Sequence, residues 1–285
     1  MQTIGELIPS HSEGLERISK MTPAERAEYK KELSNLAAGT LNEQDGYDCP
    51  LCLNRGYFWG YEDKPPYREF TTDCKCKKIR ASIRRMKRSG LEPVLKRCTF
   101  ENFYTDEEWQ SVIKIHAMAF PKNADDLENK WFFIGGGVGS GKTHLCTAMS
   151  REFLLQGKEV RYMLWVKHSQ ELKTLVNEPE YAEKLAELQK VDVLYIDDFF
   201  KPMRDDRGNV LPPTKADIRL AYEIIDYRYQ HRDLITIISS ERHTHELEEL
   251  DSAVGSRIYE MTKENAYNIA KVKDRNYRLR DMVVI

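Results

Sequence analysis

Short apolar runs alternate with longer helical stretches from about Leu91 to the end of the chain. The runs WFFIG, VLYID and LITIIS have the length of strands, and their apolar residues are continuous. Such runs are typical of strands that are buried on both faces of a sheet. The stretches LCTAMSREFLLQG and ADIRLAYEIIDYRYQHR lie between them and have the length of helices. This order predicts an α/β fold, in which a parallel sheet is covered by helices on both faces.

The first 45 residues are polar, and their apolar positions are sparse. A helix is predicted to begin at Thr22, because Pro23 suits the first helical position and Glu25 completes a capping box. Two interpretations of this segment stay open. It is either a solvated helix or a docking element for another protein.

A basic helix is predicted in the segment KCKKIRASIRRMKRSG. Ile79, Ile83 and Met86 recur there at helical spacing, and the positions between them are mostly Lys and Arg. Gly90 and Pro93 then interrupt the pattern, so we place a domain boundary after residue 90.

Composition describes an ordinary globular protein with a heavily charged surface. The 285 residues are 41% hydrophobic and 32% charged, and the net charge is −2. No apolar run approaches the roughly 20 residues that cross a bilayer, and no secretory signal is visible, so we expect a cytoplasmic protein without a membrane partner. Charge is unevenly placed, since ten Lys or Arg residues and the single acid Glu92 lie between Lys75 and Arg97.

Four of the six cysteines form two closely spaced pairs, one C-x-x-C and one C-x-C. These are Cys49, Cys52, Cys74 and Cys76. In a cytosolic protein such pairs indicate a closed tetrahedral thiolate site for structural Zn²⁺. A redox dithiol pair and unrelated buried thiols are the alternatives. We interpret the two remaining cysteines, Cys98 and Cys146, as small buried apolar residues.

The predicted strand WFFIG runs directly into a phosphate-binding loop, GGVGSGKTH, which matches G-x-x-x-x-G-K-[ST] and is followed by a helix. Glycines allow backbone N–H groups to converge on phosphate oxygens. Lys142 is placed to reach the β- and γ-phosphates of ATP, and Thr143 to hold Mg²⁺. The predicted nucleotide-binding residues are Gly136, Gly137, Val138, Gly139, Ser140, Gly141, Lys142, Thr143 and His144.

A second apolar run, VDVLYIDDFF, ends in two carboxylates. Asp197, at the end of the predicted strand, is expected to take part in holding Mg²⁺. Asp198 is the candidate general base for the attacking water, although an Asp is one methylene shorter than a Glu. The alternative is that Asp198 only caps the turn.

The ordered set CPLC with CKC, RCTFENF, GGVGSGKTHL, VLYIDDFFK, TIISSE, AVGSRIYEM and NYRL resembles a known family. It is similar to the DnaC/DnaI-type replicative helicase loaders and the related IstB transposition ATPases of the AAA+ class. The resemblance implies three regions: an N-terminal helical segment (1–45), a zinc-binding module with the basic helix (46–90) and an AAA+ ATPase domain (91–285). About 45 residues follow the third apolar run, so we expect a truncated lid.

The same resemblance assigns further site residues. Ser240 or Glu241 would act as sensor 1 near the γ-phosphate, and Arg257 would be an arginine finger that enters a neighbouring subunit. Arg278 matches sensor 2, with Arg280 as a less suitable substitute. Either Arg257 or Arg278 could instead be an ordinary surface ion-pair residue.

Two aromatic residues of TFENF, Phe100 and Phe103, would lie near the adenine in the family pattern. As single aromatic residues they are more typical of positions in the core.

The expected function is ATP-dependent loading of a DnaB-type hexameric replicative helicase, with ATP-driven self-association and binding of single-stranded DNA. ATP hydrolysis is expected to be slow and to depend on assembly or DNA. An IstB-like transposition helper and, less favoured, a small-molecule P-loop kinase are the alternatives. The basic helix could contact DNA, contact the helicase or be a solvated face, and Lys201 is a possible DNA contact.

Overall fold

The computed structural model describes residues 18–88, 97–272 and 275–277. Side chains of residues 85–88 and the predicted boundary at residue 90 lie outside this description, as do Arg278 and Arg280. The chain divides into two compact units, one ending at Arg80 and the other beginning at Ala81. The three-region division stays a prediction.

Within the described residues, the longer elements of the first unit are helices and a β-hairpin. In chain order these are α1 (Pro23–Leu36), α2 (Leu41–Asp45), β1 (Tyr57–Tyr61), β2 (Glu69–Asp73) and α3 (Cys76–Arg88), within which the division between the units falls. Strands β1 and β2 are antiparallel. The predicted capping box of α1 is confirmed, because Glu25 N–H donates to Thr22 Oγ1 and Thr22 N–H donates to Glu25 Oε2.

The second unit is built around a parallel sheet. Its elements are α4 (Glu108–Asn123), β3 (Trp131–Gly136), α5 (Lys142–Leu155), β4 (Val160–Leu164), α6 (Trp165–Thr174), α7 (Pro179–Lys190), β5 (Val193–Asp197), β6 (Met203–Arg204), β7 (Val210–Leu211), α8 (Lys215–Gln230), β8 (Ile235–Ser240), α9 (Thr244–Leu250), α10 (Ser252–Met261) and β9 (Ala266–Ile269). The strand order is β4-β5-β8-β3-β9, and every pairing in it is parallel.

The three predicted apolar strands lie side by side in the middle of this sheet, as β5, β8 and β3, and all their residues are buried. Successive side chains alternate between two cores. Phe132 and Ile134 of β3 pack with α4 and α5, whereas Trp131 and Phe133 pack with α6, α8 and α10. The predicted α/β fold with helices on both faces is therefore confirmed. The edge strands β4 and β9 were not predicted from their sequence.

Helix α3 has the apolar side that its spacing predicted. Ile79 is buried and Ile83 is half-buried, and the side chain of Met86 lies outside the described residues.

Among the described residues, no helix has both the length and the apolar character needed to cross a membrane.

Arg228 of α8 is fully buried and links three elements of the second unit. Its guanidinium donates to the backbone carbonyls of Leu188, Gln189, Val191 and Ile235 at 2.6–3.1 Å, and to Thr236 Oγ1 at 2.8 Å. Acceptors buried in this way are costly when their donor is removed.

We therefore expect Arg228→Met to lower the free energy of unfolding by roughly 3 kcal/mol, because five acceptors would lose their donor. Arg232→Met is the matched control, since Arg232 is exposed and pairs with Glu260 at 2.8 Å. The control should lose less than about 1 kcal/mol. Urea unfolding followed by circular dichroism measures both, and equal losses would contradict a structural role for the buried network.

Candidate nucleotide site and cysteine centre

The phosphate-binding loop joins β3 to α5 through glycines whose backbones other residues could not easily adopt. Gly139 has φ +77° and Gly141 has φ +85°. A Cβ on Gly141 would lie 2.6 Å from the Phe103 ring, and one on Gly139 would lie 1.8 Å from Asn276 Oδ1. The loop is thus packed against Phe103, which precedes α4, and against Asn276, which follows β9. Gly141 also caps α5, so the N-terminus of a 14-residue helix points its N–H groups into the loop.

Lys142 is buried at the first position of α5. Its Nζ donates to the carbonyls of Gly136 at 2.9 Å and Gly137 at 2.7 Å. Burial lowers the pKa of Lys142, and the neighbouring carboxylates Glu241, Asp198 and Asp197 oppose that shift. The ammonium therefore lies where a phosphate oxygen could replace loop carbonyls as its partner.

The two predicted Mg²⁺ ligands are brought together. Thr143 Oγ1 donates to Asp197 Oδ1 at 3.1 Å, across the end of β5. Tyr162 of β4 donates from its hydroxyl to Asp197 Oδ2 at 3.1 Å, and Ser239 of β8 also donates to Oδ1. A carboxylate and a hydroxyl oxygen are the donor types that Mg²⁺ prefers, so this pair fits the ion.

Sequence reasoning missed Tyr162 and Ser239. Burial raises the pKa of Tyr162, and its hydrogen bond to Asp197 adds to this effect, so its hydroxyl stays protonated and can donate. Ser239 faces Asp197 because successive strand side chains point to opposite sides. The predicted Ser240 instead donates to the Phe199 carbonyl at 2.7 Å. Strand alternation implies that only one of the two adjacent serines can face Asp197, and the sheet register, which the sequence does not give, selects Ser239.

Asp198 and Glu241 are joined by a lysine. Lys201 Nζ lies 2.8 Å from Asp198 Oδ2 and 3.2 Å from Glu241 Oε1. Burial lowers the pKa of Lys201, but the hydrogen bonds to Asp198 and Glu241 outweigh it, so the pKa is raised overall. Asp198 also has φ +53°, in the left-handed region that non-glycine residues adopt at strained or functional positions. Lys201, which the sequence offered as a possible DNA contact, therefore pairs with the predicted general base and with one of the two predicted sensor residues.

His144 and Phe103 form the other side of the loop. His144 Nε2 lies 2.7 Å from the Thr99 carbonyl, and its ring contacts Phe103 edge-on at 5.4 Å. Phe100 and Phe103 are both buried in the core, and Phe103 also contacts the loop at Gly141.

The segment after β9 also reaches the loop. Tyr277 N–H donates to the Gly139 carbonyl at 3.1 Å, and the Tyr277 ring stacks on Tyr104 at 5.2 Å. The predicted sensor residue Arg278 is the next residue along the chain, outside the described residues.

Arg257 lies on α10, where its described contacts are with α8 and its own helix. Its guanidinium lies 2.9 Å from Asp226 Oδ1 and donates to the Ala253 carbonyl at 2.8 Å. The rings of Tyr222 and Tyr229 lie 5.2 and 5.3 Å from it. The structure thus does not bring Arg257 to the nucleotide site of its own chain, so a role as a finger stays a prediction.

The four paired cysteines meet in the first unit, all of them buried, with ligand atoms within 4.8 Å of one another. Cys49 Sγ lies 3.8 Å from Cys74 Sγ, and Cys52 Sγ lies 3.5 Å from Cys76 Sγ. A tetrahedral centre with Zn–S bonds of about 2.3 Å has sulfur atoms roughly 3.8 Å apart, so the donor set fits zinc. Burial raises the pKa of Cys52, but Gly56 N–H donates to its sulfur and, together with the other cysteines, lowers the pKa to about 7.

The two remaining cysteines differ in their burial. Cys146 is fully buried, which confirms the interpretation as a small core residue, whereas Cys98 is only partly buried.

The sequence is similar to known ATP-binding proteins. The family model described as IstB-like ATP binding protein matches residues 72–282. The chain is 31% identical over 225 residues to the phage-like element PBSX protein XkdC of Bacillus subtilis, a match that covers 75% of this chain and 79% of that protein. It is 25% identical over 177 residues to the replicative helicase loader DnaC of Escherichia coli, covering 61% of this chain and 66% of that protein.

A solved structure shares the fold. The crystal structure of the DnaC helicase loader superposes with a TM-score of 0.50 at 20% identity, covering 62% of this chain and 98% of that one. The matched family model spans the phosphate-binding loop, Asp197, Asp198 and Arg257. The chain therefore belongs to the IstB-like ATP binding protein family and is an AAA+ P-loop ATPase related to the DnaC-type helicase loaders.

Proposed function

We propose that this ATPase loads a DnaB-type hexameric replicative helicase during initiation of DNA replication, acting in the cytoplasm. The observation that supports the proposal is the combination of a phosphate-binding loop, where Thr143 meets Asp197, with a buried four-cysteine module, in a chain similar to the replicative helicase loader DnaC. In this proposal the module docks on the helicase, and ATP-bound domains self-associate and grip single-stranded DNA.

The described residues support defined roles in ATP hydrolysis. Lys142 binds the β- and γ-phosphates, and the glycine loop supplies backbone donors. Thr143 and Asp197 would hold Mg²⁺, which when bound neutralises charge on the phosphate oxygens. Asp198 accepts a proton from the attacking water, and Lys201 positions its carboxylate. Glu241, also paired with Lys201, would lie near the γ-phosphate as sensor 1.

A transposition helper is the second candidate, because the matching family model is named for IstB. The two functions share the ATPase domain and differ in the partner protein. Co-purification with tagged helicase and, separately, with a transposase distinguishes them, and native mass spectrometry with ATP reports the stoichiometry. Capture of the transposase alone would overturn the loader proposal. ATP turnover that requires a small-molecule acceptor would instead indicate a kinase.

The first prediction from the proposed function separates nucleotide binding from hydrolysis. Lys142→Ala should abolish ATP binding, because it removes a buried ammonium that contacts phosphate. Asp198→Asn should retain ATP affinity within a few-fold and slow hydrolysis by roughly 10²–10⁴-fold, because it removes only the base. Fluorescent-nucleotide titration and phosphate release measure the two effects. Equal loss of affinity in both variants would contradict the role of Asp198.

The second prediction concerns zinc. Protein purified without chelator should contain one Zn²⁺ per chain, bound by the four cysteines. Cys49→Ser should unfold the first unit and leave ATP binding by the second unit intact, since metal affinity supplies folding energy in small modules. Cys146→Ser, which alters a buried cysteine elsewhere, is the control for zinc content. Metal analysis that finds no zinc in the wild-type protein would refute the assignment.

The third prediction tests whether Arg257 acts on a neighbouring subunit. Arg257→Ala should bind ATP normally, because the described contacts of Arg257 do not include the nucleotide site. Its ATPase rate should fall, by up to an order of 10³–10⁵ where a finger acts in trans. Mixing it with Lys142→Ala protein should restore some turnover, because an intact loop then meets an intact finger.

Two controls separate this role from a structural one. Asp226→Asn removes the same ion pair but keeps the guanidinium, and Arg219→Ala removes an exposed arginine of α8. Both should keep their ATPase activity. If Asp226→Asn loses as much activity as Arg257→Ala, or if mixed variants co-assemble and remain inactive, Arg257 is a structural residue.

A further inference from the structure

Arg80 is a fully buried arginine in the first unit, one helical turn after Cys76 in α3. It belongs to the basic helix that the sequence predicted to contact DNA, to contact the helicase or to be a solvated face. Its side chain is only 2% exposed, so Arg80 itself takes none of these roles. Arginine is rarely buried without compensating charge, so its surroundings must explain its position.

The guanidinium reaches the turn that carries the first cysteine pair. One of its nitrogens donates to Asn54 Oδ1 at 2.8 Å, and the same oxygen accepts the Cys49 N–H at 2.8 Å. Asn54 has φ +67° and ends the turn that carries Cys49 and Cys52. Arg80 thereby holds the first cysteine turn from a helix that begins at Cys76.

Arg80 is also placed by its helix near the second cysteine pair, since it lies one turn after Cys76 in α3. The Nε of Arg80 is buried and has no acceptor among the described residues. A buried N–H donor of a cationic group therefore lies, without a described partner, one helical turn from a predicted metal ligand.

Asp45 alone does not account for the burial of Arg80. Its Oδ1 lies 2.5 Å from the guanidinium, and its Oδ2 is buried without a partner among the described residues. A buried ion pair gives little net stability, since desolvation offsets the attraction. Four thiolates around a divalent ion, in contrast, carry a net charge of −2, which favours a buried cation nearby.

We propose that Arg80 is a positioning residue of the cysteine centre, where it offsets the charge of the metal-bound thiolates and fixes the Cys49 turn through Asn54. The proposal rests on the zinc assignment made under the proposed function. Such outer partners commonly change metal affinity by 10–100-fold.

The test is a comparison of metal affinity in the full-length chain. Arg80→Met keeps the length of the side chain and removes the charge, and Arg84→Met makes the same change at an exposed position one turn later in α3. Competition with a chromophoric chelator gives the Zn²⁺ affinity, and the sulfur-to-cobalt charge-transfer band reports Co²⁺ bound by thiolates. We expect Arg80→Met to bind about tenfold or more weakly. Arg84→Met should match the wild type, and equal affinities for the two variants would overturn the proposal.

Two further variants separate charge compensation from loss of a structural ion pair. Asp45→Asn removes the partner but keeps the guanidinium, so it should weaken Zn²⁺ binding less than Arg80→Met does. In a Cys76→His background one thiolate is replaced by a neutral imidazole and the centre is less negative, so adding Arg80→Met should weaken Zn²⁺ binding by a smaller factor than in the wild type. Equal effects of Asp45→Asn and Arg80→Met, or an unchanged cost in the Cys76→His background, would assign Arg80 a purely structural role.

A folding control keeps the result interpretable. ATP binding by the second unit should be unchanged in every variant, and Arg80→Lys, which keeps the charge, should recover part of the affinity if Arg80→Met binds no metal. Failure of Arg80→Lys to do so would contradict charge compensation. If the wild-type protein bound no zinc, the zinc assignment itself would be wrong. If the wild-type protein and Arg80→Met bound zinc equally tightly, the zinc assignment would stand and only the role of Arg80 would be wrong.

Discussion

The nucleotide site depends on the burial of three adjacent parallel strands on both faces. Because β3, β5 and β8 run in the same direction, their carboxyl ends lie at one edge of the sheet. The phosphate-binding loop, Asp197 and Ser239 each follow from one of these ends. The hydrophobic cores on the two faces therefore fix the positions of the polar groups at these strand ends.

The carboxylates of the site have two kinds of partner. Asp197 is surrounded by three hydroxyl donors, from Thr143, Tyr162 and Ser239, which hold its orientation. Asp198 and Glu241 instead share the ammonium of Lys201. The three donors suit a carboxylate that keeps one position, which is Asp197. The shared ammonium leaves the pairing of Asp198 and Glu241 free to change when other charged groups enter the site.

The two units are stabilised by different means. The second unit has two extensive apolar cores, whereas the buried cluster of the first is made of the four cysteines with Tyr47 and Phe58 packed against it. Small units with little apolar area usually need a metal or a cross-link. The ion pair of Arg80 and Asp45 is buried, and it is linked to that cluster through Asn54, which accepts hydrogen bonds from Arg80 and from the Cys49 N–H.

The sequence alone determined the features that depend on neighbours along the chain. The strand-loop-helix order of Gly136 to Thr143, the carboxylates after VLYID and the spacing of the cysteines are local patterns, so the fold class, the ATP site and the thiolate cluster could be predicted. Tertiary structure decided which of Ser239 and Ser240 faces Asp197, that Lys201 joins Asp198 to Glu241, and that Arg80 is buried. These contacts join residues on different strands, turns and helices, and their pairing is set by sheet register and packing, which no local pattern of residues specifies.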